Sequence, residues 1–331
     1  TDRALRLVAV AAFFLSGFAA LIYQVVWQRM LVVFSGADVH AFTVIVAAFM
    51  AGLGVGHLTG GYTADRLARR NALILFAVAE CAIAAFSLAS RSLYYDFLYQ
   101  RLGAYAIGTV LLTATLFASL LWPTFFMGMS LPLLARAVTT RLEGAAATVG
   151  ELYAFNTLGA AAGALLATWW ILPAVGLDGS LRIGALLNLL CALTVVPLSA
   201  RVANTLDRTL PGEQASTPPA TGGPQRPTLP FAGWAAIYAL SGLMALSLEI
   251  VWFRLLGVMM KSTAFTFGTL LAIYLTGIGG GAWLGSFGVR HLRRPALTFF
   301  LLQAGVGLSA GLLLALVIGR VDDFAWLRQY F

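Results

Sequence analysis

Nine apolar runs, each 20 residues or longer, follow one another along this 331-residue chain, at 7–33, 39–64, 71–90, 105–136, 146–174, 180–199, 231–258, 264–289 and 296–319. A helix rises about 1.5 Å per residue, so about 20 residues cross the hydrocarbon core of a bilayer. Inside that core every backbone N–H and C=O needs a partner within the protein, which restricts spanning structures to helices and closed barrels. Barrel strands are short and alternate in polarity, whereas these runs are long and unbroken and select helices. Composition agrees: 60% of the residues are hydrophobic and 10% charged, against roughly 25% charged in a soluble domain. The predicted fold is an all-α integral membrane protein of about nine transmembrane helices. No stretch between the runs is long enough for a soluble catalytic domain. The fourth run carries Pro123 and Pro132 and is expected to kink or break.

The formal net charge of +8 does not point to nucleic acid, because the basic residues stand in short clusters between apolar runs, where they orient the chain in the bilayer. Thirteen arginines fall on one side and six basic residues on the other, with Arg29 and Arg254 inside runs. The richer side is predicted to be cytoplasmic, which puts the N-terminus inside and the chain in a bacterial-type inner (cytoplasmic) membrane. The segment 200–230 falls on the same side. It contains Pro211, Pro218, Pro219, Gly222, Gly223, Pro224, Pro227 and Pro230 and reads as a flexible linker. The first run is too long for a cleavable signal peptide. Cys81 and Cys191 lie in apolar runs without metal-ligand spacing, and His40, His57 and His291 are scattered. The sequence shows no metal site, no cofactor site and no catalytic motif.

An internal repeat organises the chain. Residues 16–67 align without a gap to 241–292 at an offset of 225, with 16 of 52 positions identical. Trp27 matches Trp252, Arg29 matches Arg254, and Gly52, Gly54, Gly56 and Gly60 match Gly277, Gly279, Gly281 and Gly285. Six runs separate the two copies, so both have the same orientation, the parallel-repeat layout of the major facilitator superfamily. The expected domains are a first membrane repeat of six helices (1–199), the linker (200–230), and a second repeat with three helices present (231–331). Because the second repeat has three runs to the first's six, the chain is expected to be a fragment of a longer protein, the alternative being a nine-span protein.

Several residues stand out as candidates. Gly52, Gly56 and Gly60, and likewise Gly277, Gly281 and Gly285, recur every fourth residue, so each set lines one helix face where a neighbour packs closely, or slides during alternating access. Gly61, Asp65, Arg66, Arg69 and Arg70 follow the second run and resemble the cytoplasmic loop signature of the major facilitator superfamily, the plain alternative being a positive-inside loop. Charges inside membrane runs are functional candidates by default. Glu80 lies mid-run with no partner nearby in sequence and is the better candidate for a proton-linked or cation-binding role. Glu249 and Arg254 are five residues apart, poor geometry within one helix. Pairing across the repeat is expected instead, Glu249 with Arg29 and Gln24 with Arg254, either to lock the halves together or to form a substrate site. Asn156 stands in a polar cluster that opens the fifth run and is placed to bridge helices.

Four motifs together carry a resemblance. They are Ala20 to Arg29 (ALIYQVVWQR), Leu246 to Arg254 (LSLEIVWFR), Phe126 to Pro132 (FMGMSLP) and Leu152 to Gly159 (LYAFNTLG). The set resembles the membrane-bound spermidine synthase-like proteins, described as fusions of a major facilitator part with a spermidine synthase part, and the likeness covers nearly the whole chain apart from the linker. The resemblance implies a membrane domain often followed by a soluble Rossmann-like domain similar to aminopropyltransferases, which use decarboxylated S-adenosylmethionine and a polyamine. This chain departs from the pattern at Gln24, where the repeat usually has Glu. It also has no Gly-rich loop after a strand, so no catalytic residue of the family maps onto it. The implied role is a membrane-embedded domain supporting polyamine-related chemistry or transport. The alternatives are a major facilitator-type secondary transporter and an accessory subunit of a larger membrane complex. Expected partners are the lipid bilayer, a soluble synthase domain or other membrane subunits, and a cationic small molecule, with no nucleic acid.

Overall fold

In a computed structural model, the described residues are 2–35, 38–102, 109–139, 145–202, 229–259, 265–288, 292 and 294–320. Nearly all of them are helical. The elements are α1 (Asp2–Ser35), α2 (Asp38–Ala64), α3 (Arg69–Arg91), α4 (Thr109–Val138), α5 (Ala145–Leu166), α6 (Leu172–Arg201), α7 (Phe231–Met259), α8 (Thr266–Gly288) and α9 (Pro295–Gly319). Ser92–Leu102 after α3 and Ala167–Ile171 between α5 and α6 are π-helical. Most of the expected linker (203–228) and residues 321–331 lie outside the described residues.

Eight helical stretches are long and apolar enough to cross a membrane. One of them, Ala145–Ala200, has 56 residues and holds both α5 and α6. It is interrupted at Gly176, whose φ of 68° and ψ of −171° belong to a region that is essentially glycine's alone. Of the kink or break expected in the fourth run, the break does not occur: α4 is a single helix through both Pro123 and Pro132. Membrane helices tolerate internal proline where neighbouring helices pack around it, and the Pro132 ring lies against α2 at Gly60.

The chain forms two compact units. The first comprises Thr1–Asn204 with Ala264–His291, hence α1 to α6 and α8; the second comprises Thr205–Thr263 with Leu292–Phe331, hence α7 and α9. Within the first unit α1 packs on α5 and α6, α2 on α4, α3 on α4 and α6, and α5 on α8. Eight of the ten buried positions of α3 (Leu73, Phe76, Ala77, Glu80, Ile83, Ala84, Ser87 and Ser90) form one inward stripe at helical spacing, and the small residues Ala72 and Ala79 flank it. Ile74, Val78 and Leu88 lie on the outer face. In the second unit, the Gln303 amide of α9 donates to the Ser241 hydroxyl of α7 at 2.6 Å, and Trp234 meets Phe300.

The glycine stripes behave differently in the two repeats. A Cβ on Gly52 would strike the Thr124 side chain, one on Gly56 would meet the Phe125 carbonyl and lie 2.9 Å from the Gly128 Cα, and one on Gly60 would lie 2.8 Å from the Met129 Cα. The first stripe is therefore the seam between α2 and α4. Along the second stripe none of the described residues lies within 4 Å of a Cβ on Gly277, Gly281 or Gly285. Two other glycines of α8 pack closely, Gly268 against Thr168 and Gly279 against Leu158 of α5; Gly279 bears on the stripe. It is two residues, roughly half a turn, from the stripe, so α5 occupies the opposite face of α8.

Candidate functional site

Glu80 sits at the middle of α3, eleven residues from Arg69 at one end and eleven from Arg91 at the other, or about 16 Å of helix rise each way. It is fully buried. Three donors from three other helices reach its carboxyl group. The Ser16 hydroxyl of α1 donates to Oε1 at 2.8 Å, the Ser130 hydroxyl of α4 donates to the same oxygen at 3.3 Å, and the Asn188 amide of α6 donates to Oε2 at 2.5 Å. The Tyr23 hydroxyl donates to the other end of that amide, Asn188 Oδ1, at 2.6 Å. Ser16, Tyr23, Ser130 and Asn188 are themselves buried.

The partners are all neutral, which sets the chemistry. An ionised carboxylate here uses all three donors as acceptor interactions. A protonated one needs an acceptor for its own O–H, and the Ser16 or Ser130 hydroxyl supplies it by rotating, since a serine hydroxyl both donates and accepts. The same heavy-atom arrangement therefore satisfies both protonation states. A buried charge without a counter-ion is costly, so the arrangement holds a carboxyl able to gain and lose a proton without repacking.

Aromatic side chains and two serines extend the network along the same face. Tyr23 and Trp27 stack at 5.3 Å between ring centroids, and Trp27 meets the ring of Phe86 edge-on at 5.6 Å. The Trp27 Nε1–H donates to Ser90 Oγ at 3.1 Å, and that hydroxyl donates to the Ser87 carbonyl at 2.7 Å. The Ser87 hydroxyl donates to the Leu181 carbonyl at 3.3 Å and also interacts with the Tyr23 hydroxyl.

The other candidates lie elsewhere. Asn156 joins α5 to α1, its amide donating to the Phe13 carbonyl at 2.9 Å. Around it Gly159 and Gly163 lie against the carbonyls of Phe14 and Phe18. The loop after α2 is tied to the end of α4. Arg69 Nε donates to the Ala137 carbonyl at 2.8 Å, and Arg136 Nε donates to the Leu67 carbonyl at 3.1 Å. These contacts satisfy carbonyls that a helix end and a loop leave open. Arg66 folds back to the Tyr62 carbonyl and lies over that ring at 3.3 Å, while Gly61 accepts the amide N–H of Asp65. Arg70 belongs to the first turn of α3. Gln24 is buried and Arg29 half-buried on α1; Glu249 is half-buried and Arg254 exposed on α7. The two expected cross-repeat pairs thus draw one member from each unit.

Reading the sequence singled out Glu80 but none of the four side chains that surround it. Two ion pairs were missed as well, Arg6 with Glu151 between α1 and α5, and Arg91 with Asp178 beyond the opposite end of α3. The available signal was the isolated polar residue inside an apolar run, which Ser16, Ser130 and Asn188 all are. Its weakness is that it gives no pairing. Among the described residues no cluster of three His, Cys, Asp or Glu side chains is placed to hold a metal ion. No family model matches the chain, and neither a curated protein nor a solved structure does so.

Proposed function

We propose that this chain is the membrane part of a spermidine synthase-like protein, supporting polyamine-related chemistry or transport, with Glu80 as its proton-binding carboxyl. The resemblance rests on the four sequence motifs. The observation that carries the functional part is the geometry of Glu80, a carboxyl at mid-helix, held by α1, α4 and α6 through neutral donors alone. With no solvent exposure, the carboxyl suits a proton better than a polyamine ammonium group, which needs room. Polyamine handling would then be coupled to protonation at Glu80 and not bound there. The nine-span layout in two parallel repeats, and a cytoplasmic N-terminus in a bacterial-type inner membrane, belong to the same reading and follow from the run count, the repeat and the arginine asymmetry.

The test is spermidine uptake into proteoliposomes under an imposed pH gradient. The wild-type chain is expected to take up labelled spermidine, and Glu80→Gln to lose the dependence on the gradient. Absence of both uptake and spermidine binding by the wild type would remove the polyamine reading.

An accessory role in a larger membrane complex has one observation in its favour. None of the described residues of α9 is buried, and Leu301, Leu302, Leu308, Leu312 and Ile318 are all exposed. Co-purification from native membranes in fixed stoichiometry with another membrane chain would support that role.

A further inference from the structure

We infer that Glu80 exchanges its proton with one side of the membrane only, the side of Arg91 and Asp178, by way of the polar column that Ser87 and Ser90 build along α3. The inference rests on the reading of Glu80 as a proton-binding carboxyl.

The two directions out of the Glu80 site differ in chemistry. Toward Arg91, Ser87 stands two turns along the same face of α3, about 10 Å of helix rise away, and Ser90 follows one turn later; both are fully buried. Tyr23 and Asn188 fill the interval between Ser87 and the carboxyl. Ser90 adjoins Arg91, which is ion-paired with Asp178. Those two residues line a cavity of about 370 Å³ together with Met30, Tyr95, Gly176 and Leu181. Leu181 joins cavity to column, since its carbonyl accepts the Ser87 hydroxyl. Toward Arg69 the interior is apolar: Phe13, Leu73, Phe76, Met129, Leu133 and Leu134 belong to one buried cluster. A cavity of about 730 Å³ lined by Arg6, Phe14, Leu15 and Glu151 also lies along α1, but buried polar side chains lead toward the carboxyl from the Arg91 end alone, and water follows polar groups and avoids a packed apolar cluster.

The groups facing the carboxyl are few. Helix α1 presents Ser16 and Tyr23, α4 presents Ser130, and α6 presents Asn188 and Cys191; among the described residues these include no charged side chain. Asn188 orients the carboxylate but its amide does not pass a proton on, so water entering along the column makes the last transfer. Hydronium gives a proton to the Glu80 carboxylate and leaves as water, and the reverse step returns it.

Dicyclohexylcarbodiimide modifies protonated carboxyl groups in apolar surroundings, and peptide mass spectrometry locates the adduct. The full chain is reconstituted in vesicles whose inner and outer pH are set independently. Asp96→Cys, labelled by an impermeant maleimide, reports which face the Arg91 end occupies. Modification of Glu80 is expected to fall about tenfold per pH unit above the carboxyl's titration point when the pH is raised on the Arg91 side, and to ignore the pH on the Arg69 side. The pair Ser87→Ala and Ser90→Ala should slow that response severalfold while leaving the final extent of modification unchanged. Modification that follows the Arg69 side, or both sides equally, overturns one-sided access and leaves Glu80 as a proton site. Wild-type protein that is never modified at any pH overturns both.

Discussion

Replacing Glu80 by leucine removes the common acceptor of Ser16, Ser130 and Asn188 and leaves three buried donors to compete for other partners. A buried donor left without a partner costs about 1–3 kcal/mol, although hydrogen bonds between membrane helices average roughly 0.6 kcal/mol because the dissociated helices find substitutes. We therefore expect Glu80→Leu to lower stability by on the order of 2 kcal/mol, read as a lower Tm in detergent. Asn188→Leu should cost a similar amount. Because the two side chains share one hydrogen bond at 2.5 Å, the double variant should fall short of the sum by about 0.5–3 kcal/mol. A fully additive result would mean that the two side chains do not act as one network. Tyr23→Phe is expected to be milder, since it deletes one donor and keeps the ring that stacks on Trp27.

Helices α2 and α8 are repeat mates with different neighbours, which makes a matched pair of substitutions informative. Gly56→Leu drives a side chain into the Phe125 carbonyl and the backbone at Gly128. Overpacking of this kind costs about 1–3 kcal/mol or more, and the variant should unfold at lower temperature. At the matched position of α8 a Cβ on Gly281 meets none of the described residues within 4 Å, and Gly281→Leu should lower the Tm of the purified chain far less. Equal losses at both positions would contradict the packing described here. The interruption at Gly176 inside α6 allows a second check. Gly176→Val places a β-branched residue at a φ of 68°, a conformation strained by about 1–3 kcal/mol for any side chain, and should destabilise the first unit.

One hydrogen bond of the first unit has a counterpart in the second. In the first, Ser16 of α1 donates to Glu80 of α3; in the second, Ser241, the repeat mate of Ser16, accepts from Gln303 of α9. A serine thus joins α1 to α3 through a carboxyl and α7 to α9 through a neutral amide. Among the described residues α9 carries no carboxyl, so the role proposed for Glu80 has no counterpart on that helix. Orientation can be tested on the intact chain. Ser216→Cys in the linker and Asp96→Cys after α3 should react with an impermeant maleimide from opposite faces of the membrane, Ser216→Cys from the cytoplasm. Reaction of both from one face would remove the predicted orientation.

The helices were legible in the sequence, because run length and apolar content are local quantities, but the end of α5 and the start of α6 were each expected about eight residues too late. Glu80 was legible for the same reason, as a charge where the bilayer makes charge costly. What surrounds it was not, since Ser16, Ser130 and Asn188 lie 64, 50 and 108 positions away and nothing in an apolar helix states which face meets which neighbour. The same holds for the second glycine stripe, whose spacing matches the first while its neighbours differ. Helix formation in a membrane is a property of each segment, fixed by backbone hydrogen bonding in lipid. Which side chains meet depends on how the segments pack, and only the tertiary structure set the carboxyl of Glu80 between a polar column on one side and an apolar cluster on the other.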